Sequence, residues 1–162
     1  MMILYRLILP VLILASISAV HSYAGYIEPD RKERCHVCGM SIHKNPGWSA
    51  QIVFKDGSRA SFDGPKDMFR YYFNMSKYNR KKTTDNISEM YVKGYYSKIP
   101  FDASKAFYVI YSHVYGPMGH ELIPFKDRKT AEGFAGERGG RVLPFQEVTP
   151  GIIRSLDHGQ KP

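Results

Sequence analysis

Both cysteines of the chain fall in one short stretch, RCHVCGMSIHKNPGW, from Arg34 to Trp48. Cys35 and Cys38 are separated by two residues, Met40 follows Cys38 by two, His36 and His43 lie close by, and Trp48 is the single tryptophan. Thiols at this spacing serve as a tight disulfide, as a redox pair that turns over, or as soft donors to a metal ion. A loop closed by residues three apart is too small to constrain the rest of an unfolded chain, so a stabilising crosslink is the least useful of the three. Thiolate and thioether suit Cu(I) and disfavour Mg(II) or Ca(II). A structural zinc site calls for four donors, and beyond Cys35 and Cys38 the candidates are His36, His43 and His120, with no second clear pair. A thiol-disulfide oxidoreductase opens a helix with its Cys-x-x-Cys, directly after a strand, where the dipole lowers the first thiol's pKa. Gly39 at once and Asn45-Pro46-Gly47 soon after do not read as a helix start.

A second candidate group lies far along the chain, in GPMGH, which holds Met118 and His120. The glycines of CGM and GPMGH keep Met40 and Met118 in loops, where they could meet, whereas Met68, Met75 and Met90 read as core filler. His120 is the most ligand-like imidazole, since a partly solvated loop histidine completes a three- or four-coordinate site. His36 points away from a chelate made by both thiols, and His43, His113 and His158 read as surface or strand residues. Trp48 reads as an anchor on the hairpin that follows, with a possible second use as a shield against water. Hydrolytic and group-transfer enzymes find no support: there is no Gly-x-Ser-x-Gly, phosphate loop or metalloprotease helix. No enzymatic turnover is expected. The remaining alternatives are the oxidoreductase and, third, a structural or adhesion domain with the cysteines as a tight disulfide.

These residues need elements to hold them. In SAQIVFKDGSRASFDG, Ala50, Ile52 and Phe54 alternate, the chain turns at Asp56-Gly57, and Ala60 and Phe62 return, which is a hairpin pattern. Pro65 then suits a first helical turn, and Met68, Phe69, Tyr72 and Phe73 follow at helical spacing. In the second half AFYVIYSHVYG reads as a strand, PMGHELIPF as a second short one, and DRKTAEGFAGERGG as a helix with Asp127 as N-cap, Ala131, Phe134 and Ala135 as its apolar stripe and Gly139-Gly140 as its stop. RVLPFQEV closes with a further strand. Both halves thus run strand, strand, helix, and the expected class is α+β, two related ββα-type halves with antiparallel sheet and packed helices.

Met1 to Arg6 carries one positive charge and Leu7 to Val20 is almost unbroken apolar sequence, shorter than the roughly 18 to 20 residues of a spanning helix. With Ser22 and Ala24 as small residues before a cut, residues 1–24 read as a signal peptide and 25–162 as a single mature domain; the alternative is an uncleaved N-terminal anchor. The aromatic content, 12 Tyr and 9 Phe, supports a core without disulfides. Loss of Arg6 leaves 22 basic against 15 acidic residues, +7, which favours an acidic partner. Nucleic acid is not that partner, because the basic residues hold no register with stacking aromatics; KYNRKK, Lys77 to Lys82, reads as a solvated loop.

The chain resembles the NosL-type copper chaperones associated with nitrous oxide reductase. The resemblance runs from about Cys35 to Val148 and is carried by CxxCGM (Cys35, Cys38, Gly39, Met40), PGWSAQIVFKDG, FDG with its helix, IPFDASKAFYV, GPMGHELIPF and FAGERGGRVLPFQEV. It implies a periplasmic or otherwise extracytoplasmic Cu(I)-binding metallochaperone that delivers copper to an apo-cuproenzyme client, with a membrane copper exporter or assembly complex as a further partner. It also implies Cys38, Met40 and Met118 as ligands; the residues' own chemistry adds Cys35 and His120 as candidates. Many members close the signal peptide with a lipid-bearing cysteine; Ala24-Gly25 stands there in this chain, which implies a form that diffuses freely or docks on protein.

Overall fold

The structure, a computed structural model, describes residues 25–159. The expected signal peptide, and the alternative anchor, lie outside the described residues. In chain order the elements are β1 (Ala50–Phe54), β2 (Arg59–Phe62), α1 (Pro65–Phe73), α2 (Met75–Tyr78), β3 (Ile87–Lys93), β4 (Pro100–Asp102), β5 (Phe107–Ile110), β6 (Tyr115–Gly116), β7 (Gly119–His120), β8 (Ile123–Phe125), α3 (Arg128–Arg138), β9 (Arg141–Pro144) and α4 (Pro150–Asp157). No described helix is long and apolar enough to cross a membrane.

The strands form a four-stranded sheet ordered β2-β1-β3-β4, a three-stranded sheet ordered β8-β5-β9, and the two-stranded ribbon β6-β7. Every pairing is antiparallel, which with the helices makes the class α+β. In both larger sheets a hairpin is followed by a helix, and the next strand returns to the open side of the first, so the order second-first-third recurs. The expected strand PMGHELIPF divides in two: β7 closes the ribbon and β8 joins the sheet, with Glu121 and Leu122 between them.

Local chemistry accounts for the elements that frame the site. In β1, Ala50, Ile52 and Phe54 are buried, and Ile52 faces Ala60 in register. Gly57, with φ +80°, supplies the left-handed turn residue. Gln51 is also buried, because its side chain imitates a strand backbone: Ile27 N–H donates to Oε1 and Nε2 donates to the Ile27 carbonyl, each at 3.0 Å. In α3, Asp127 accepts from Thr130 N–H at 2.8 Å as the expected cap, and Ala131 and Phe134 face inward. The core is aromatic. Phe69 of α1 lies 5.2 Å from Tyr108 and 5.0 Å from Phe145 between ring centroids, and Phe62 packs on Tyr71 at 5.2 Å. Met68 and Met75 fill this core, as expected for them. Of KYNRKK, Lys77, Arg80 and Lys81 are exposed, but Lys82 pairs with Asp56 and lies over the Phe54 ring.

Candidate metal centre

The loop carrying the cysteines is built by its own backbone. Cys35 N–H donates to the Met40 carbonyl at 2.8 Å and Gly39 N–H returns to the Cys35 carbonyl at 2.9 Å, so the segment closes on itself. Gly39 has φ +75° with open space around it, so the backbone conformation, not crowding, calls for glycine there. His36 fastens the loop to β2: its N–H donates to the Ser61 carbonyl at 3.1 Å, and Ser61 N–H donates back to Nδ1 at 3.2 Å. The His36 ring is thereby committed to Ser61 and packs toward Phe62. His43, His113 and His158 are exposed.

Opposite the thiols stand two carboxylates, one just beyond β2 and one in the first turn of α1. Single ligand atoms of Cys35, Cys38, Asp63 and Asp67 all lie within 4.8 Å of one another. The Cys35 thiol donates to Asp67 Oδ2 at 3.2 Å, and the Cys38 thiol donates to Asp63 Oδ2 at 3.7 Å. Cys35, Asp63 and Asp67 are buried, Cys38 is exposed, and both cysteines are free thiols. Asp63 Oδ1 is buried without a hydrogen-bond partner among the described residues.

Electrostatics hold the thiols protonated in the absence of a cation. Burial pushes the Cys35 thiol far above its ordinary value, and neighbouring Asp67 adds to the rise. Burial, with the Asp67 side chain, pushes Cys38 up to about 11. Amides work the other way: N–H groups of Cys38 and Val37 favour the Cys35 thiolate, and Met40 N–H favours that of Cys38. Burial, together with Asp67, also raises Asp63. The pocket therefore offers soft donors and oriented amides, but its burial first and the nearby negative charge second disfavour two thiolates without a positive ion.

The remaining ligand candidates lie at the end of the cysteine loop and on the β6-β7 ribbon. Met40 ends the cysteine loop. Met118 sits at the tip of the β6-β7 ribbon, exposed, with Pro117 before it and Gly119 after it at φ +82°. Its carbonyl accepts from Lys66 Nζ at 2.8 Å, and Lys66 immediately precedes Asp67 on α1. His120 packs on Tyr115 at 4.8 Å between centroids, outside the Cys-Asp cluster, with its buried Nδ1 unpartnered among the described residues. Trp48 lies in a short 3-10 turn before β1 and packs 5.9 Å from Tyr95. Asp63 and Asp67 were not among the sequence candidates. Their only signal was an FDGPKD run that placed acids at a helix start, where carboxylates are common for dipole reasons alone.

Comparison with known proteins places this geometry among relatives. The model of the NosL family matches residues 26–153. The chain is 31% identical over 134 residues to the copper-binding lipoprotein NosL of Stutzerimonas stutzeri, covering 78% of this chain and 69% of that protein. The fold matches the crystal structure of the copper chaperone NosL from Shewanella denitrificans with a TM-score of 0.66 and 25% identity, covering 75% of this chain and 93% of that one.

Proposed function

The chain belongs to the NosL family, and on that premise we propose that it is an extracytoplasmic metallochaperone, periplasmic or secreted, that binds Cu(I) and delivers it to an apo-cuproenzyme. The client assigned by the resemblance is nitrous oxide reductase, with a membrane copper exporter or assembly complex as the source. Cys38, Met40 and Met118 are the proposed primary ligands, Cys35 the second thiol, and His120 an imidazole within the same ribbon as Met118.

One observation carries the reading: two free thiols stand together, one buried and one exposed, on a loop whose neighbouring helix turn is tied to the Met118 ribbon. An incoming cuprous ion replaces the Cys38 proton, and the exposed sulfur is the atom a client's ligand can approach to take the ion by exchange. Thiol-disulfide exchange is the weaker use of the same pair. An attacking thiol needs a pKa near ambient pH, and both thiols here are pushed upward. Asp63 and Asp67 favour a second reading, zinc, because they supply the second donor pair that a tetrahedral site requires.

Anaerobic titration of the reduced protein with Cu(I) against a competing chelator, beside a Zn(II) titration, tests this. Stoichiometric Cu(I) binding that outcompetes the chelator and is lost in Cys38→Ala supports the proposal. Tight Zn(II) with no Cu(I) binding replaces it with the zinc reading.

A further inference from the structure

Lys66 is the one lysine of the described chain buried to 2% exposure, and its surroundings say what it does. Its Nζ donates to the Met118 carbonyl at 2.8 Å and lies 3.4 Å from Asp157 Oδ1 at the end of α4. Its backbone N–H donates to Glu121 Oε1 at 2.5 Å, and Glu121 is anchored in turn by Leu122 N–H at 2.9 Å. Arg70 joins Asp67 to Asp157. The first turn of α1 is thus wrapped by a closed set of contacts running from the cluster carboxylate Asp67, through Arg70 and Asp157, to Lys66 and on to the Met118 backbone.

The ribbon itself is a weak scaffold. It has two residues per strand, its tip is exposed, and two paired strands alone are marginally stable in water. A buried ammonium is costly unless it is paired and hydrogen-bonded, and here Asp157 and the Met118 carbonyl are the partners that offset that cost. We infer that Lys66 is a positioning residue for metal binding: its bond to the Met118 carbonyl seats the methionine beside the helix turn that carries Asp67. This rests on the reading of Met118 as a copper ligand. Lys66 touches no metal; it holds the backbone from which the thioether projects, as outer partners hold ligands in other metal sites.

The experiment compares wild type, Lys66→Leu, Met118→Ala and the double variant by anaerobic Cu(I) titration against a competing chelator, with amide hydrogen exchange over residues 115–120 of the apoproteins. Lys66→Leu keeps an apolar stem and removes the donor without adding a soft ligand; it is expected to weaken Cu(I) by about 10- to 100-fold, to speed exchange in the ribbon, and to add nothing in the Met118→Ala background. Wild-type affinity in Lys66→Leu, or losses that simply add in the double variant, overturns the inference. Wild-type affinity in Met118→Ala overturns the ligand reading instead, which separates the two failures. Should Lys66→Leu not fold, exchange in the wild-type apoprotein decides: protected amides over 115–120 support the inference, and exchange at the rate of an open loop sinks it.

Discussion

Cys35 and Cys38 are the same residue type in opposite settings, and the difference assigns them separate work. Cys35 is buried and bonded to Asp67, while Cys38 is exposed and only loosely approached by Asp63. Cys38→Ser is therefore expected to leave the melting temperature near wild type, because little apolar burial is lost, while Cu(I) affinity falls by about 100-fold or more; equal affinity would remove Cys38 from the ligand set. Oxidation gives a second expectation. A Cys35–Cys38 disulfide offers no thiolate charge, so the oxidised protein should take up far less Cu(I) than the reduced one in parallel titrations. The thiol pair was legible in the sequence because both partners sit in one loop. Asp63 and Asp67 were not, since their approach to the thiols, across 25 and 32 residues, exists only once α1 folds back against the loop.

At the scale of elements, α1 starts on Gly64, which has no side chain to cap it, and the cap comes from the other half of the molecule. Glu121 Oε1 accepts the Lys66 N–H from 55 residues away, and a Cβ at Gly64 would collide with the other carboxyl oxygen. Gly116 makes room on the opposite side, where a Cβ would lie 2.9 Å from Glu121 Cγ. Burial raises the Glu121 carboxyl to about 8, although Leu122 N–H and Lys66 oppose the rise. The folded state therefore keeps a proton that the unfolded chain releases near 4.5, and stability is lost as pH rises between those values. Urea unfolding at pH 5 and pH 8.5 should show a steeper fall in wild type than in Glu121→Gln, the difference approaching about 1.4 kcal/mol per pH unit at most; identical profiles would show that Glu121 does not titrate across folding. Hairpin β1-β2 and the Asp127 cap were readable because turn and cap chemistry are local. α2, β3, β4 and α4 were not. β3 has no clean alternation, since Tyr91, Val92 and Lys93 are all buried in succession, and α4 opens on Pro150-Gly151, which reads as a turn.

Across the whole molecule, one large core joins both sheets: Ile52 and Phe62 of the first share it with Tyr108 and Ile110 of the second, around α1 and α4. The sequence suggests two ββα-type halves; the order second-first-third recurs in the two larger sheets, but the first sheet adds β4. What the sequence could not convey was the inserted ribbon that breaks the symmetry and carries Met118. If ligands come from both halves, an ion that binds only the folded state stabilises their union. Cu(I) at about 100 times its dissociation constant should contribute roughly 2.7 kcal/mol. Anaerobic calorimetry should show a rise in melting temperature on loading that is smaller in Met118→Ala; an equal rise in both would confine binding to the first half. Trp48 offers copper loading a natural readout. Its indole stands against the ribbon next to its tip, where a Cβ on Gly116 would lie 3.4 Å from Cε3, and Lys98 Nζ sits 6.0 Å above the ring. Being the single tryptophan, it is the chain's only indole fluorophore, placed against the segment that bears Met118. Any shift of the ribbon changes the polarity and charge around that fluorophore, so copper capture and release should be followed in real time from intrinsic emission, with no label attached.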